Sequence, residues 1–225
     1  MSISENLKRI EEKIAAAAEK SGRKRDAVTL CAVTKKVDTS AAEELLSLGV
    51  RNLAENRVQV LCEKYEDIQN RAIWHLIGHL QTNKVKYIID KVSLIHSVES
   101  VKLLEEINLK AKAKNKVMDV LLEVNVSGEE SKFGIKPHLA HEFAAQMEKY
   151  ENVRLKGLMT IAPVPEKAGD NRKYFYELNK LFVDIGQKKY DNVSMEHLSM
   201  GMSLDFEDAV AEGATLVRIG TSLFL

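Results

Sequence analysis

The stretch LCAVTKKVDTS, Leu30 to Ser40, runs an apolar, β-branched segment straight into Lys35 and Lys36. A primary amine at the end of a buried strand is a candidate nucleophile, because desolvation lowers its pKa and frees it to form a Schiff base. The plain alternative is a strand that ends in two solvated charges. Neighbouring strand residues point to opposite faces, so both lysines cannot face one site, and periodicity does not choose between them. Near the other end of the chain, LSMGMS (Leu198–Ser203) and RIGTS (Arg218–Ser222) combine glycines with small hydroxyls. Gly201 and Gly220 permit close backbone approach, Thr221 and Ser222 add hydroxyls, and Ser203 is expected at the N-cap of SLDFEDAV. Such loops suit a phosphate dianion, although short Gly/Ser loops also serve as simple caps.

These residues need elements to hold them. Ile3, Leu7, Ile10 and Ile14 recur at three- and four-residue spacing between charges, which predicts an N-terminal amphipathic helix over Ile3–Lys20. AVTLCAVT then begins a regular alternation. Apolar or mixed runs recur at VRNLAEN, AIWHLIG, VSLIHSV, VMDVLLEVNV, VRLKGLMTIA, NVSMEHLSM and ATLVRIG. Helical segments are expected to begin near Thr39, Arg57, Thr82, Ser100, Pro137, Asn171 and Ser203. Eight strands spaced by about 27 residues match the repeat of a (β/α)8 barrel. Continuous apolar strands such as DVLLEVNV fit a parallel sheet covered on both faces. Gly49 and Gly213 stand where a left-handed helix end is wanted. No linker or low-complexity stretch interrupts the pattern, so one domain over 1–225 is expected. Only TSLFL follows the eighth strand, and the N-terminal helix is expected to fill the last place in the outer ring.

In such a barrel, working residues collect at the C-terminal ends of the strands, and the loops after strands seven and eight form the usual phosphate corner. The ends in order are Lys35, Glu55 and Asn56, His79, Ser97, Asn125 and Ser127, Thr160, then the two Gly/Ser loops. Every strand must give way to a polar loop, so polarity alone proves little. The combination is more specific. An amine, a phosphate cup and Arg218 on neighbouring strands are the set that pyridoxal phosphate requires, for its aldehyde, its phosphate and its pyridine nitrogen.

Several segments then resemble, in order, those of the pyridoxal phosphate homeostasis protein family: AVTKK, LAENRVQ, WHLIGHLQTNKVK, IHSVES, LLEVNVSGEESKFG, GLMTIAP, LSMGMSLDFEDAV and TLVRIGTSLF. The resemblance covers about residues 28–224. It implies a (β/α)8 TIM barrel of the alanine racemase N-terminal domain type, a fold-type III arrangement, here with an extra N-terminal helix. It implies a protein that holds pyridoxal 5′-phosphate as a lysine aldimine and takes part in vitamin B6 and amino-acid homeostasis without turnover. Carried over by position, the aldimine lysine is Lys35. The phosphate-binding residues are Ser203, Gly220 and Thr221, with Ser199 and Gly201 beside them, and Arg218 meets the pyridine nitrogen. Asn56, His79 and Met159 line the pocket. Two departures stand out: Thr34 replaces the usual Ser, and a second lysine, Lys36, intrudes.

A guanidinium beside the ring nitrogen disfavours its protonation and weakens the electron sink of carbanion chemistry. The alternative function, an amino-acid racemase of the same fold, needs a base that racemases of this class take from a second domain. A more distant alternative is a lysine-dependent aldolase with no coenzyme. Composition excludes other classes. Lys+Arg and Asp+Glu are both 33, with no basic cluster interleaved with aromatics, which argues against nucleic acid. No run spans a membrane and no signal segment opens the chain, so a cytoplasmic protein is expected. Cys31 and Cys62 read as reduced thiols. His75 and His79 lack further ligands at metal spacing, and no metal is expected. Asp205 and Glu207 read as acids complementing a helix dipole. A monomer with apo-enzymes as candidate recipients completes the reading; roles for Lys36 and for the Ser127–Gly134 loop stay open.

Overall fold

In the computed structural model, which describes residues 2–225, eight parallel strands close into a barrel in chain order. They are β1 Thr29–Val33, β2 Asn52–Glu55, β3 Ile73–Leu76, β4 Leu94–Val98, β5 Met118–Glu123, β6 Val153–Met159, β7 Val193–Ser199 and β8 Leu216–Ile219. Each apolar run of the sequence forms its expected strand. β1 pairs with both β2 and β8, and the seam sets Cys31 opposite Arg218. The outer ring consists of α2 Thr39–Ser47, α3 Val58–Ile68, α4 Val85–Ile88, α5 Val101–Ala113, α6 Ala140–Ala145, α7 Arg172–Gly186 and α8 Phe206–Ala211. An N-terminal helix α1, Ile3–Lys20, and a one-turn helix α9, Thr221–Phe224, complete the chain.

Strand parity sorts the side chains. Ala32, Leu53, Val120, Leu122, Val217 and Ile219 pack outward with the helices in the main core. Cys31, Val33, Ala54 and Leu216 form one cluster inside the barrel, and Leu94, Leu121 and Met159 form another. The inward cysteine is inert: burial pushes the Cys31 thiol up to about 12.

Helix α1 begins with a capping box, in which the Ser2 hydroxyl accepts from Glu5 N–H and the Glu5 carboxylate accepts from Ser2 N–H. Its Leu7, Ile10, Ile14, Ala17 and Ala18 are buried. The helix packs against α8 and α9 on one side and α2 on the other, the place the outer ring needs filled after β8. Asn6 Nδ2 donates to the carbonyls of Leu223 (3.1 Å) and Leu225 (3.4 Å), tying the two ends of the chain together.

Two helix ends follow the glycine expectation, Gly49 at φ +89° and Gly213 at φ +103°. One helix start does not. The last full helix begins at Phe206 with Asp205 at its N-cap, so Ser203 lies in the loop before it. Asp205 is buried and its carboxylate accepts from Met202 N–H and from Asn171 Nδ2, each at 2.7 Å. Its task is to fold the loop rather than to complement a dipole from solvent.

Because Ile14 is fully buried under α1, Ile14→Ala is expected to lower unfolding free energy by roughly 2–5 kcal/mol in urea titration. Deletion of residues 1–20 is expected to abolish cooperative unfolding; an unchanged transition would contradict the ring-filling role of α1.

Candidate functional site

Arg218 sets the site from within. Strand β8 turns Leu216 and Arg218 into the barrel, where Arg218 is 3 % exposed. Its Nη1 donates to Ser199 Oγ at 2.6 Å and its Nη2 donates to the Thr160 carbonyl at 2.8 Å. Burial pulls the guanidinium pKa down, opposed mainly by Glu123. Ser199 Oγ also lies 3.0 Å from His96 Nδ1, to which it donates its O–H. His96 then donates from Nε2 to His75 Nδ1 (2.9 Å), and His75 donates from Nε2 to Asn52 Oδ1 (3.1 Å). Asn52 Oδ1 can only accept, so with both imidazoles neutral the direction of the relay is set from that end. Both imidazoles are neutral, since burial pulls His75 down to about 3 and His96 well below the usual histidine value. This chain runs from the barrel mouth towards the start of β2.

Next to Arg218, the loops after β7 and β8 form one surface. Ser222 N–H donates to Ser203 Oγ (3.2 Å), and Arg218 N–H donates to the Gly201 carbonyl (3.0 Å). Gly201 sits at φ +88°, where a Cβ would come within 2.5 Å of Ala209 Cβ and 2.9 Å of Phe206 Cα. A Cβ at Gly220 would lie 3.0 Å from the Val33 carbonyl oxygen. The backbone N–H groups of Ser203, Gly220 and Thr221 have no acceptor among the described residues. Backbone donors beside glycines whose surroundings exclude a side chain fit a phosphate group. Ser199, expected beside this corner, hydrogen-bonds Arg218 and His96.

Lys35 enters from β1, the strand adjacent to β8. Strand β1 ends at Val33, so Lys35 and Lys36 both lie in the turn that follows it, beyond the reach of strand alternation. Both lysines are exposed, so the protein alone does not supply the desolvation expected for the amine. Met159 is fully buried with Leu94 and Leu121 as part of the floor. Asn56 is half-buried, and its carbonyl approaches so near Gly78 that a Cβ there would lie at 2.2 Å.

His79 is brought to the rim with partners that sequence reasoning missed. Its Nδ1 lies 2.9 Å from Glu99 Oε1, and its ring stacks on Phe133 at 4.4 Å and 16°. Phe133 belongs to the Ser127–Gly134 loop, whose turn is wound on Asn125: Oδ1 accepts from Ser127 Oγ and Gly128 N–H, and Nδ2 donates to the carbonyls of Glu129 and Lys132. Gly134 N–H donates to Glu99 Oε2 (2.9 Å), docking that loop over the ends of β3 and β4. Behind it, Glu123 closes β5 at 3 % exposure, its carboxyl pushed up to about 7 by burial and then by Glu99, with Arg218 opposing. The signal available for Glu99 and Glu123 was their position at strand ends, visible only once register was known.

The fold and site therefore define a parallel barrel that presents a lysine, an anion cradle and a buried arginine at one mouth. Comparison with known proteins is consistent with this. Residues 6–225 match the family model described as alanine racemase, N-terminal domain. A curated relative named pyridoxal phosphate homeostasis protein, from Aquifex aeolicus, is 45 % identical over 225 residues, covering 100 % of this chain and 98 % of its own length. One of the same name from Escherichia coli is 34 % identical, covering 99 % and 95 %. The solved structure of PipY from Synechococcus elongatus with PLP bound superposes at a TM-score of 0.86, with 30 % identity and all of both chains covered. The chain belongs to the pyridoxal phosphate homeostasis protein family, within the alanine racemase N-terminal domain fold.

Glu123 sets a pH dependence of stability. A carboxyl raised from 4.5 to about 7 keeps its proton in the folded state over a window in which the unfolded chain has released it. Stability from this group is present below the unfolded value and is lost as pH rises through the folded one, by up to about 3 kcal/mol. His75 acts in the opposite direction, because its folded pKa is depressed and acid favours unfolding. Comparing wild type with Glu123→Gln in urea isolates the first effect. The variant is expected to match wild type near pH 4.5 and to exceed it by up to about 3 kcal/mol at pH 8; a pH-independent difference would exclude the buried acid.

Proposed function

We propose that this chain binds pyridoxal 5′-phosphate covalently through Lys35 and takes part in balancing the supply of that cofactor and of amino acids, without turning over an amino acid. One observation carries the reading: Lys35 and the side-chain-free anion cradle stand at the ends of adjacent strands β1 and β8, with Arg218 buried between them. The printed names of the relatives agree, as does the bound ligand of PipY. When bound, the cofactor supplies an aldehyde that condenses with a primary amine, releasing one water. Ser203, Gly220 and Thr221 hold its phosphate, with Gly201 keeping their loop flat against α8. Met159 and Asn56 border its ring, and His79 stands at the outer edge.

Arg218 argues against turnover. Its charge is held by Ser199 and Thr160 and cannot be shed, so a ring nitrogen beside it stays unprotonated. The six tyrosines lie on outer helices or in segments leading into strands, away from the mouth. The protein in this reading is a cytoplasmic monomer, and apo-enzymes that need the cofactor are its recipients. Among the described residues no helix is long and apolar enough to cross a membrane.

Reconstituted protein is expected to absorb in the visible, to lose the band on borohydride reduction, and to carry the fixed mass on Lys35. Lys35→Ala should lose both band and mass, and Lys36→Ala should keep both. A protein that takes up no pyridoxal phosphate would overturn the binding reading. Exchange of the α-proton of alanine in deuterated water, faster than with free cofactor, would overturn the absence of turnover and favour the racemase.

A further inference from the structure

Two adjacent lysines with exposed side chains pose a selection problem that the barrel mouth does not solve by itself. The solution lies one residue earlier and on the other side of the sheet. Thr34 is fully buried, and every polar group it owns is engaged. Its N–H donates to the Ala54 carbonyl (3.0 Å), and its hydroxyl donates to Glu55 Oε1 (2.6 Å). Its carbonyl accepts twice, from Lys64 Nζ (2.6 Å) and from Val37 N–H (3.1 Å). Lys64 Nζ also meets Glu55 Oε1 at 2.6 Å, the two side chains being 6 % and 0 % exposed. Both lone pairs of the Thr34 carbonyl are thus occupied, and that carbonyl shares its peptide plane with the Lys35 N–H. The turn Thr34–Val37 starts from a fixed plane.

The arrangement is a poor device for stability. Glu55 Oε2 is buried with no hydrogen-bond partner, and a buried ion pair can often be exchanged for apolar residues without loss. We propose that Glu55 and Lys64 are positioning residues: acting through Thr34, they lock the end of β1 so that Lys35, and not Lys36, offers its amine to the mouth. The inference rests on the reading of Lys35 as the covalent amine. It gives Lys36 a plain status, a solvated charge excluded from the site by the backbone rather than by chemistry.

The test maps the borohydride-fixed pyridoxal phosphate adduct by peptide mass in wild type, Thr34→Ser, Thr34→Val and Glu55→Leu/Lys64→Met. The double change leaves no lone buried charge, and circular dichroism with thermal unfolding checks that each variant folds. Wild type and Thr34→Ser are expected to carry the adduct on Lys35. Thr34→Val and the double variant are expected to raise the Lys36-to-Lys35 ratio by about tenfold, the change that accompanies loss of one net hydrogen bond. Without cofactor, hydrogen exchange of the Val37 amide should quicken by a similar factor in the double variant. An adduct confined to Lys35 in all four proteins would overturn the clamp and leave the binding reading intact. A wild-type adduct on Lys36 would overturn both. If wild type takes no adduct, the binding reading fails and the exchange measurement decides the clamp alone, unchanged Val37 protection overturning it.

Discussion

A guanidinium that cannot shed its proton lies inside a closed barrel at Arg218, and the polar interior is arranged around that fact. A charge taken out of water needs fixed dipoles and hydrogen bonds in place of its hydration shell. Thr160 on the loop after β6 offers a carbonyl, and Ser199 at the end of β7 offers a hydroxyl. From Ser199 a relay of hydrogen bonds continues through His96 and His75 to Asn52 Oδ1, whose acceptor-only character sets its direction. Neither histidine then has a reason to charge, and Glu123, facing the same space, is the natural counter-charge whose ionisation burial resists. A barrel interior filled only with Val and Leu would be simpler to stabilise. A line of satisfied polar groups instead holds one cation at a defined place beneath the mouth.

The rim is built from tied loops rather than free ones. Asp205 and Asn171 gather the loop after β7, Asn125 winds the loop after β5 and Glu99 docks it, and Glu55 with Lys64 holds the end of β1. Such supporting contacts give a site its geometry when the residues that would meet a ligand are small. At Gly201 and Gly220 the packing leaves no room for a side chain, since a methyl group would already collide with Ala209 or crowd Val33.

Much of this was legible from the chain. Eight apolar runs at regular spacing specify a parallel barrel because strands buried on both faces must be continuously apolar, and each run became its strand. The amphipathic spacing of Ile10 and Ile14 foretold a helix with a buried face, and glycines at 49 and 213 marked helix ends. Ser203 was misjudged as a cap, since several nearby polar residues can cap a short helix and the buried Asp205 proved to hold that position. Ser199 stands in the sequence beside the Gly/Ser loop after β7, and only the closed barrel shows that its hydroxyl meets Arg218 and His96. Glu99, Glu123 and His96 gave no local signal, because a lone polar residue in an apolar run acquires meaning only from what faces it across the barrel.

The amino-acid sequence by itself determined the layered alternation, the outer and inner faces of the strands, and which loops are rich in glycine and hydroxyls, since all of these follow from periodicity and local backbone preference. It left Lys35 and Lys36 equivalent as chemistry. Tertiary structure adds what that stretch lacks, by bringing Glu55 and Lys64 onto Thr34 from a different strand and helix. Contacts between residues 9 to 30 positions apart, closed only when β1, β2 and α3 pack, fix one peptide plane, and no local pattern in LCAVTKKVDTS encodes where that plane points.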